Sequence, residues 1–205
     1  MRVLVLGATG PCGVLLIREL LTSTHAAVVV YARNPSKLPS DISTHRNVVI
    51  IQGELTDSDS LSKAMEGVHA VLSALGPGTF HPSSTPLANG YKLVLEVMQR
   101  HNVSRLIALG TPSIKDEQDK FSLAYATMAA TVFSITRNAC KDMVAVGETI
   151  RASSEGMQWT IVRAPVLTNA EKKRCGSGVY RGRKDGNEVG EDCVCCVCGA
   201  GVAEE

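Results

Sequence analysis

Three glycines at even spacing, Gly7-Ala8-Thr9-Gly10-Pro11-Cys12-Gly13, stand between a short apolar run and a longer helical pattern. That arrangement suits one kind of chemistry, holding a phosphate chain with backbone N–H groups. Gly7 permits a tight turn off a strand, Gly10 lets a pyrophosphate approach the backbone, and Gly13 lets a helix pack close to the sheet. The helix N-terminus adds N–H donors and the positive end of its dipole. Thr9, Pro11 and Cys12 complete the candidate loop, with Pro11 suited to a first helical turn. A glycine-rich turn of structural purpose only is the competing reading. The strand before the loop and the helix after it favour dinucleotide binding.

The next signal selects the nucleotide. Sites for NAD place an Asp or Glu at the end of the second strand, where it binds the ribose 2′-hydroxyl. This chain instead has Tyr31-Ala32-Arg33-Asn34-Pro35-Ser36-Lys37. The planar fork of Arg33 fits a 2′-phosphate, and Lys37 adds a second positive charge. NADP(H) is therefore the expected cofactor and NAD(H) the less favoured one. The competing reading is that both are solvated loop charges. Leu55 and Asp57, in Gly53-Glu54-Leu55-Thr56-Asp57, fall where the fold flanks an adenine. Asp57 serves equally well as a helix cap. Ala74, Leu75 and Gly76 follow the fourth strand, where backbone would line the cofactor pocket.

Candidates for proton transfer are few. Thr111 and Ser113 end the fifth strand, and ligands in such folds sit outside the carboxyl ends of strands. Thr111 could hydrogen-bond a substrate carbonyl or the nicotinamide, or be an ordinary turn residue beside Pro112. His81, in the loop after the fourth strand, is of a type suited to proton transfer near neutral pH. A lone loop histidine is more commonly just solvated. Cys193, Cys195, Cys196 and Cys198 could hold a soft metal, but structural zinc sites pair two separated half-sites and this is a single cluster, so no metal is expected.

The elements that position these residues alternate. Strands are predicted at 2–6, 26–31, 48–52, 69–75, 105–109 and 159–162. Helices are predicted at 11–21, from Asp57 through 65, at 86–101 and at 139–153, with 123–137 less clear. Strands separated by helices imply right-handed crossovers and a mainly parallel sheet. The expected fold is an α/β, Rossmann-like, doubly wound parallel sheet in the order 3-2-1-4-5-6, a single domain with an irregular C-terminal tail. Residues 1–170 form the predicted nucleotide-binding domain. Residues 171–205 are rich in Lys, Arg, Gly and Cys without periodicity, and little packed structure is expected there. The abrupt change reads as a divergent or mispredicted terminus, which would shorten the substrate lobe.

Composition narrows the function classes. With 205 residues and 44% hydrophobic content, the chain fits one core. A net charge of +1 gives no reason to expect nucleic acid or an anionic membrane as partner. No apolar run reaches the roughly 20 residues of a membrane span, and the first is too short for a secretory signal. A cytoplasmic location is expected. With it, disulfides are not expected among the seven cysteines, and the sequon Asn102-Val103-Ser104 reads as chance.

The segments GATGPCG (7–13), YARNPSKL (31–38), GELTD (53–57), SALGPG (73–78), RLIALGTPS (105–113) and WTIVRAPVLTN (159–169), in this order, resemble the atypical short-chain dehydrogenase/reductases. The resemblance is strongest to the NmrA-like and biliverdin/flavin-reductase-like groups and covers roughly residues 1–170. It implies a Rossmann fold binding NADP(H). It also implies either a reductase or isomerase acting on a small molecule or a non-catalytic redox sensor that works through a protein partner. The wider superfamily uses a Tyr-xxx-Lys pair on the helix after the fifth strand. Here Tyr125 is followed four residues on by Ala129, and Lys141 is preceded four residues earlier by Arg137. The one such spacing, Tyr180 to Lys184, lies in the tail and reads as coincidence. Hydride transfer does not strictly need a protein acid, so a reductase, a sensor and a truncated pseudo-enzyme all stay open.

Overall fold

The computed structural model describes residues 1–78, 81–116, 119, 136–153 and 156–164 in full, and the backbone of 180–184 and 187–189. The chain begins with β1 (Arg2–Leu6), α1 (Pro11–Ser23) and β2 (Ala27–Ala32). A 3-10 turn (Pro35–Lys37) and a one-turn α2 (Ser40–Ser43) lead to β3 (Val48–Gln52) and α3 (Ser58–Met65). Then come β4 (Ala70–Ser73), α4 (Pro86–Arg100), β5 (Arg105–Gly110), α5 (Arg137–Ala152), β6 (Gln158–Arg163), β7 (Tyr180–Lys184) and β8 (Asn187–Val189). The sheet order is β3-β2-β1-β4-β5-β6-β7-β8. The first six strands pair in parallel, so the doubly wound 3-2-1-4-5-6 order is that expected from the sequence.

Alternation along the central strands divides the core into two layers. Val3, Val5, Val28 and Val30 face Ile17 of α1 and Ile42 of α2. Leu4, Leu6, Val29 and Tyr31 face the other way, onto Leu61 of α3, Val94 of α4 and Val146 of α5. Because both faces are covered, β1 and β2 read as continuous apolar runs rather than as alternating patterns.

Predicted and observed boundaries agree for β1 and β3 and differ by one or two residues elsewhere, as at β4 and α5. The 3-10 turn and α2 were not expected. Nor were β7 and β8, which fall within 171–205: β7 pairs antiparallel with β6, and β8 with β7. Backbone pairing to the otherwise open edge of β6 needs no alternation of side chains. The register joins Lys184 to Asn187. The unclear helix at 123–137 lies outside the described residues up to 135, as does the cysteine cluster at 193–198.

Tyr91 of α4, fully buried, donates its hydroxyl to Ser73 Oγ at 2.6 Å and ties α4 to the end of β4. Burial pushes its pKa up to about 12 from the usual 10. The folded protein therefore holds this proton more tightly than the unfolded chain does. The associated stability is intact below pH 10 and is lost as pH rises from 10 toward 12. Denaturant titrations across this range should show the loss, and Tyr91→Phe should flatten part of it.

Candidate functional site

β1 lies at the centre of the sheet, and its carboxyl end opens the glycine loop. Gly7 has φ +72°, and a Cβ there would stand 2.6 Å from the Ala74 carbonyl and 2.7 Å from Leu75 N. The ends of β1 and β4 are locked together at this point, with Ala74 N donating to Leu6 O at 2.9 Å. A Cβ on Gly13 would overlap the Gly7 carbonyl oxygen and lie 2.7 Å from Ala8 Cα. Both glycines are thus demanded by the chain's own packing. Gly10 is different. Its φ of −80° suits any residue, and a Cβ there would meet only the Gly7 oxygen at an ordinary 3.5 Å. Nothing in the described chain requires glycine at position 10, whereas a phosphate lying against the loop does.

Helix α1 starts at this point with no side-chain cap and no acidic residue in its first turn. Its N-terminal dipole end therefore faces the loop with no acidic side chain of its own first turn to neutralise it. Thr9 and Cys12 are half-buried and Pro11 is exposed along the same rim. These features fit the diphosphate of a dinucleotide.

Arg33 follows the last residue of β2, and its carbonyl accepts from Gln52 Nε2 at 3.1 Å. Lys37 ends the 3-10 turn. Both side chains are exposed, and neither forms an ion pair among the described residues. Asp41, the next carboxylate along the chain, is taken by Arg18 at 2.8 Å. Two cations are thus left unneutralised at the end of β2.

The turn after β3 is fixed from beneath, where Tyr31 donates its hydroxyl to Glu54 O at 2.8 Å. Leu55 packs against α4, with its Cβ 3.0 Å from where Gly90 would carry one. Asp57 caps α3: its carboxylate accepts from Asp59 N and Ser60 N at 3.1 Å and from Ser60 Oγ at 2.6 Å. The Ser60 bonds above all hold its pKa below the usual carboxylate range. Of the two roles open to Asp57, the cap is the one visible in its contacts. Among the described residues nothing lies within 4 Å of where a Cβ on Gly76 would stand, beside the half-buried Ala74 and Leu75.

Thr111 and Ser113 follow β5, and their hydroxyls lie 2.6 Å apart. They are set by Ile114, which is buried against Gly110 and Gly147 and whose N–H donates to Thr111 O at 3.1 Å. His81 is not a solvated loop residue. Its ring is 2.6 Å from the buried carboxylate of Asp142, a partner the sequence did not indicate. The Tyr180/Lys184 spacing falls on β7, where four residues span about 13 Å rather than one helical turn. Tyr125 and residues 165–169 lie outside the described residues.

A six-strand parallel sheet in this order, with a glycine cradle at the carboxyl end of its first strand, defines the dinucleotide-binding Rossmann proteins. The chain belongs to the NAD(P)H-binding family, whose model matches residues 7–198. Over 124 residues it is 31% identical to Oxidoreductase aflX of Aspergillus parasiticus, a stretch covering 56% of this chain and 47% of that protein. Over 125 residues it is 28% identical to Oxidoreductase ptaF of Pestalotiopsis fici, covering 56% and 48%. The chain thus spans about half the length of these curated relatives. Among solved structures, a short-chain dehydrogenase/reductase from Veillonella parvula in complex with NADP has a TM-score of 0.70 at 20% identity, covering 84% of this chain and 72% of that one. The Citrobacter sp. triphenylmethane reductase complexed with NADP(H) has a TM-score of 0.59 at 20% identity, covering 82% and 51%. The likeness to short-chain dehydrogenase/reductases of known structure is therefore one of fold, and the family is the NAD(P)H-binding one. Among the described residues no helix is long and apolar enough to cross a membrane.

Proposed function

We propose that this chain is an NADPH-dependent reductase of a small carbonyl, quinone or flavin-like molecule. Gly10 carries the reading, as the one glycine of the loop whose missing side chain nothing among the described residues requires. In this reading the first turn of α1 holds the pyrophosphate, with Thr9 and Cys12 at its rim. Arg33 and Lys37 take the 2′-phosphate. Leu55 and Asp57 border the adenine, and the backbone of Ala74, Leu75 and Gly76 lines the path to the nicotinamide. When bound, NADPH supplies a hydride. The protein positions the acceptor, with Thr111 donating its hydroxyl to the substrate oxygen while Ser113, 2.6 Å away, orients it. The lack of a helical Tyr-xxx-Lys pair among the described residues favours a second reading, a non-catalytic NADP(H)-binding sensor acting on a protein partner.

Fluorescence titration should give tighter binding of NADPH than of NADH. Arg33→Ala should erase most of that difference, at least about tenfold, because hydrogen bonds to charged groups contribute about 1.5–3 kcal/mol. Equal affinities in the unaltered protein would sink the NADP assignment. Oxidation of NADPH with menadione, nitrobenzaldehyde or FMN as acceptor supports the reductase. Tight binding without turnover, together with a co-purifying partner, supports the sensor.

A further inference from the structure

One buried carboxylate lies outside everything assigned so far. Asp142 of α5 is 0% exposed. Its Oδ1 accepts from Ala88 N at 2.9 Å, and its Oδ2 accepts from Leu87 N at 2.9 Å while lying 2.6 Å from His81 Nε2. Helix α4 has no side-chain cap of its own. Asp142 therefore caps α4 from a neighbouring helix, where the dipole favours a negative charge. One turn earlier on the same face of α5, Asn138 donates Nδ2–H to His81 O at 3.2 Å. Helix α5 thus holds His81 twice, by its ring and by its backbone, and the side chain is 8% exposed.

These contacts assign the tautomer. A carboxylate is an acceptor only, so Nε2 carries the proton facing Asp142 and Nδ1 is left available. No hydrogen bond engages Nδ1 among the described residues. Nδ1 is also not among the buried side-chain atoms without partners in the described residues, which are Arg2 Nε and Trp159 Nε1. The location suits a role at the site. α4 follows β4 and α5 follows β5, so both helices start at the carboxyl end of the sheet, where ligands bind in this fold.

We infer that His81 and Asp142 form a proton-transfer dyad serving the same site, an inference that rests on the reductase reading. His81, protonated on both nitrogens, gives its Nδ1 proton to the oxygen of a small aldehyde or ketone as hydride from NADPH reaches the carbonyl carbon. The C=O π pair becomes the new O–H bond, a C–H bond forms, and NADP⁺ and an alcohol result. The imidazole is left neutral and regains its proton from water. Asp142 touches no substrate. It is a positioning residue that fixes Nε2–H and stabilises the imidazolium.

The test combines ring tautomer with turnover. In cofactor-free, ¹⁵N-labelled full-length protein, neutral His81 should carry its proton on Nε2, with the signal assigned by its loss in His81→Gln. In Asp142→Asn the amide oxygen at the Oδ2 position still accepts from Leu87 N and the ring, so the proton should stay on Nε2, whereas Asp142→Ala removes that acceptor and the preference for Nε2 should be lost. In turnover, His81→Gln should lower kcat for nitrobenzaldehyde by about 100-fold or more, the usual scale of general acid catalysis. KM and NADPH affinity should be little changed. Menadione, whose reduced oxyanion is stabilised by its ring, should lose far less. If unaltered protein reduces nitrobenzaldehyde and His81→Gln matches it, or if neutral His81 carries its proton on Nδ1, the dyad is overturned while the reductase reading stands. NADPH binding without turnover of either probe overturns both.

Discussion

Gly10→Ala should leave the folded protein at least as stable as before while weakening NADPH binding by at least about tenfold, or about 1.4 kcal/mol. Gly13→Ala should do the reverse of the first half and unsettle the fold itself. At position 10, φ is −80° and the added methyl meets only the Gly7 oxygen at 3.5 Å. A glycine-to-alanine change at a compatible position commonly stabilises by about 0.4–1 kcal/mol, through the unfolded chain. The same methyl, however, occupies the space the pyrophosphate needs against the backbone. At position 13 the methyl collides with the Gly7 carbonyl and Ala8 Cα. These are backbone atoms at the turn between β1 and α1 and cannot swing aside as a flexible side chain would. Overpacking costs about 1–3 kcal/mol where side chains can yield, and the upper end or beyond is expected here. At about 2–4 °C per kcal/mol for a chain of this size, Tm should fall by roughly 10 °C. Thermal melts with and without NADPH check both arms, since a ligand that binds only the native state raises Tm. A Gly10→Ala protein that is still stabilised by NADPH as strongly as the parent would reduce the loop to a structural turn.

The contrast between these glycines marks how far the sequence alone could be read. Spacing between a strand and a helix located the loop, and Pro11 and Asp57 located two helix starts, because these signals are local. The order of the sheet followed from alternation of strands and helices. The same local logic could not distinguish Gly10 from Gly13, since the difference lies in what stands across the turn. It also failed for His81. In sequence His81 sits in a Gly/Pro/Ser-rich loop and Asp142 sits between Lys141 and Met143, 61 residues later. Nothing in either neighbourhood marks a buried pair. The available hint was Asn138 and Asp142, four residues apart on one helical face. Likewise β7 pairs with β6 and β8 with β7 through the backbone, and no alternating sequence pattern marks either strand.

Asp142→Ala should be the most destabilising single truncation around the site. The carboxylate is the shared acceptor for Leu87 N, Ala88 N and His81 Nε2. Its removal leaves the first turn of α4 without any side-chain cap, because Thr85 supplies none. An unsatisfied buried donor costs about 1–3 kcal/mol. With two backbone donors and a ring N–H stranded, a loss of about 3 kcal/mol or more is expected, roughly 10 °C in Tm. Asp142→Asn retains one acceptor oxygen and should lose about a third of that. Hydrogen exchange provides the local check. The Leu87 and Ala88 amides should lose protection in Asp142→Ala, while the amides of β1 and β2 keep theirs until global unfolding. The glycine loop makes none of these contacts, so below the lowered Tm the variant should still bind NADPH with unchanged affinity. A variant that melts like the parent would mean that α4 holds its first turn without help from α5. One that loses NADPH binding while folded would mean that the cap and the cradle are coupled through the ends of β4 and β1, where Gly7 meets Ala74.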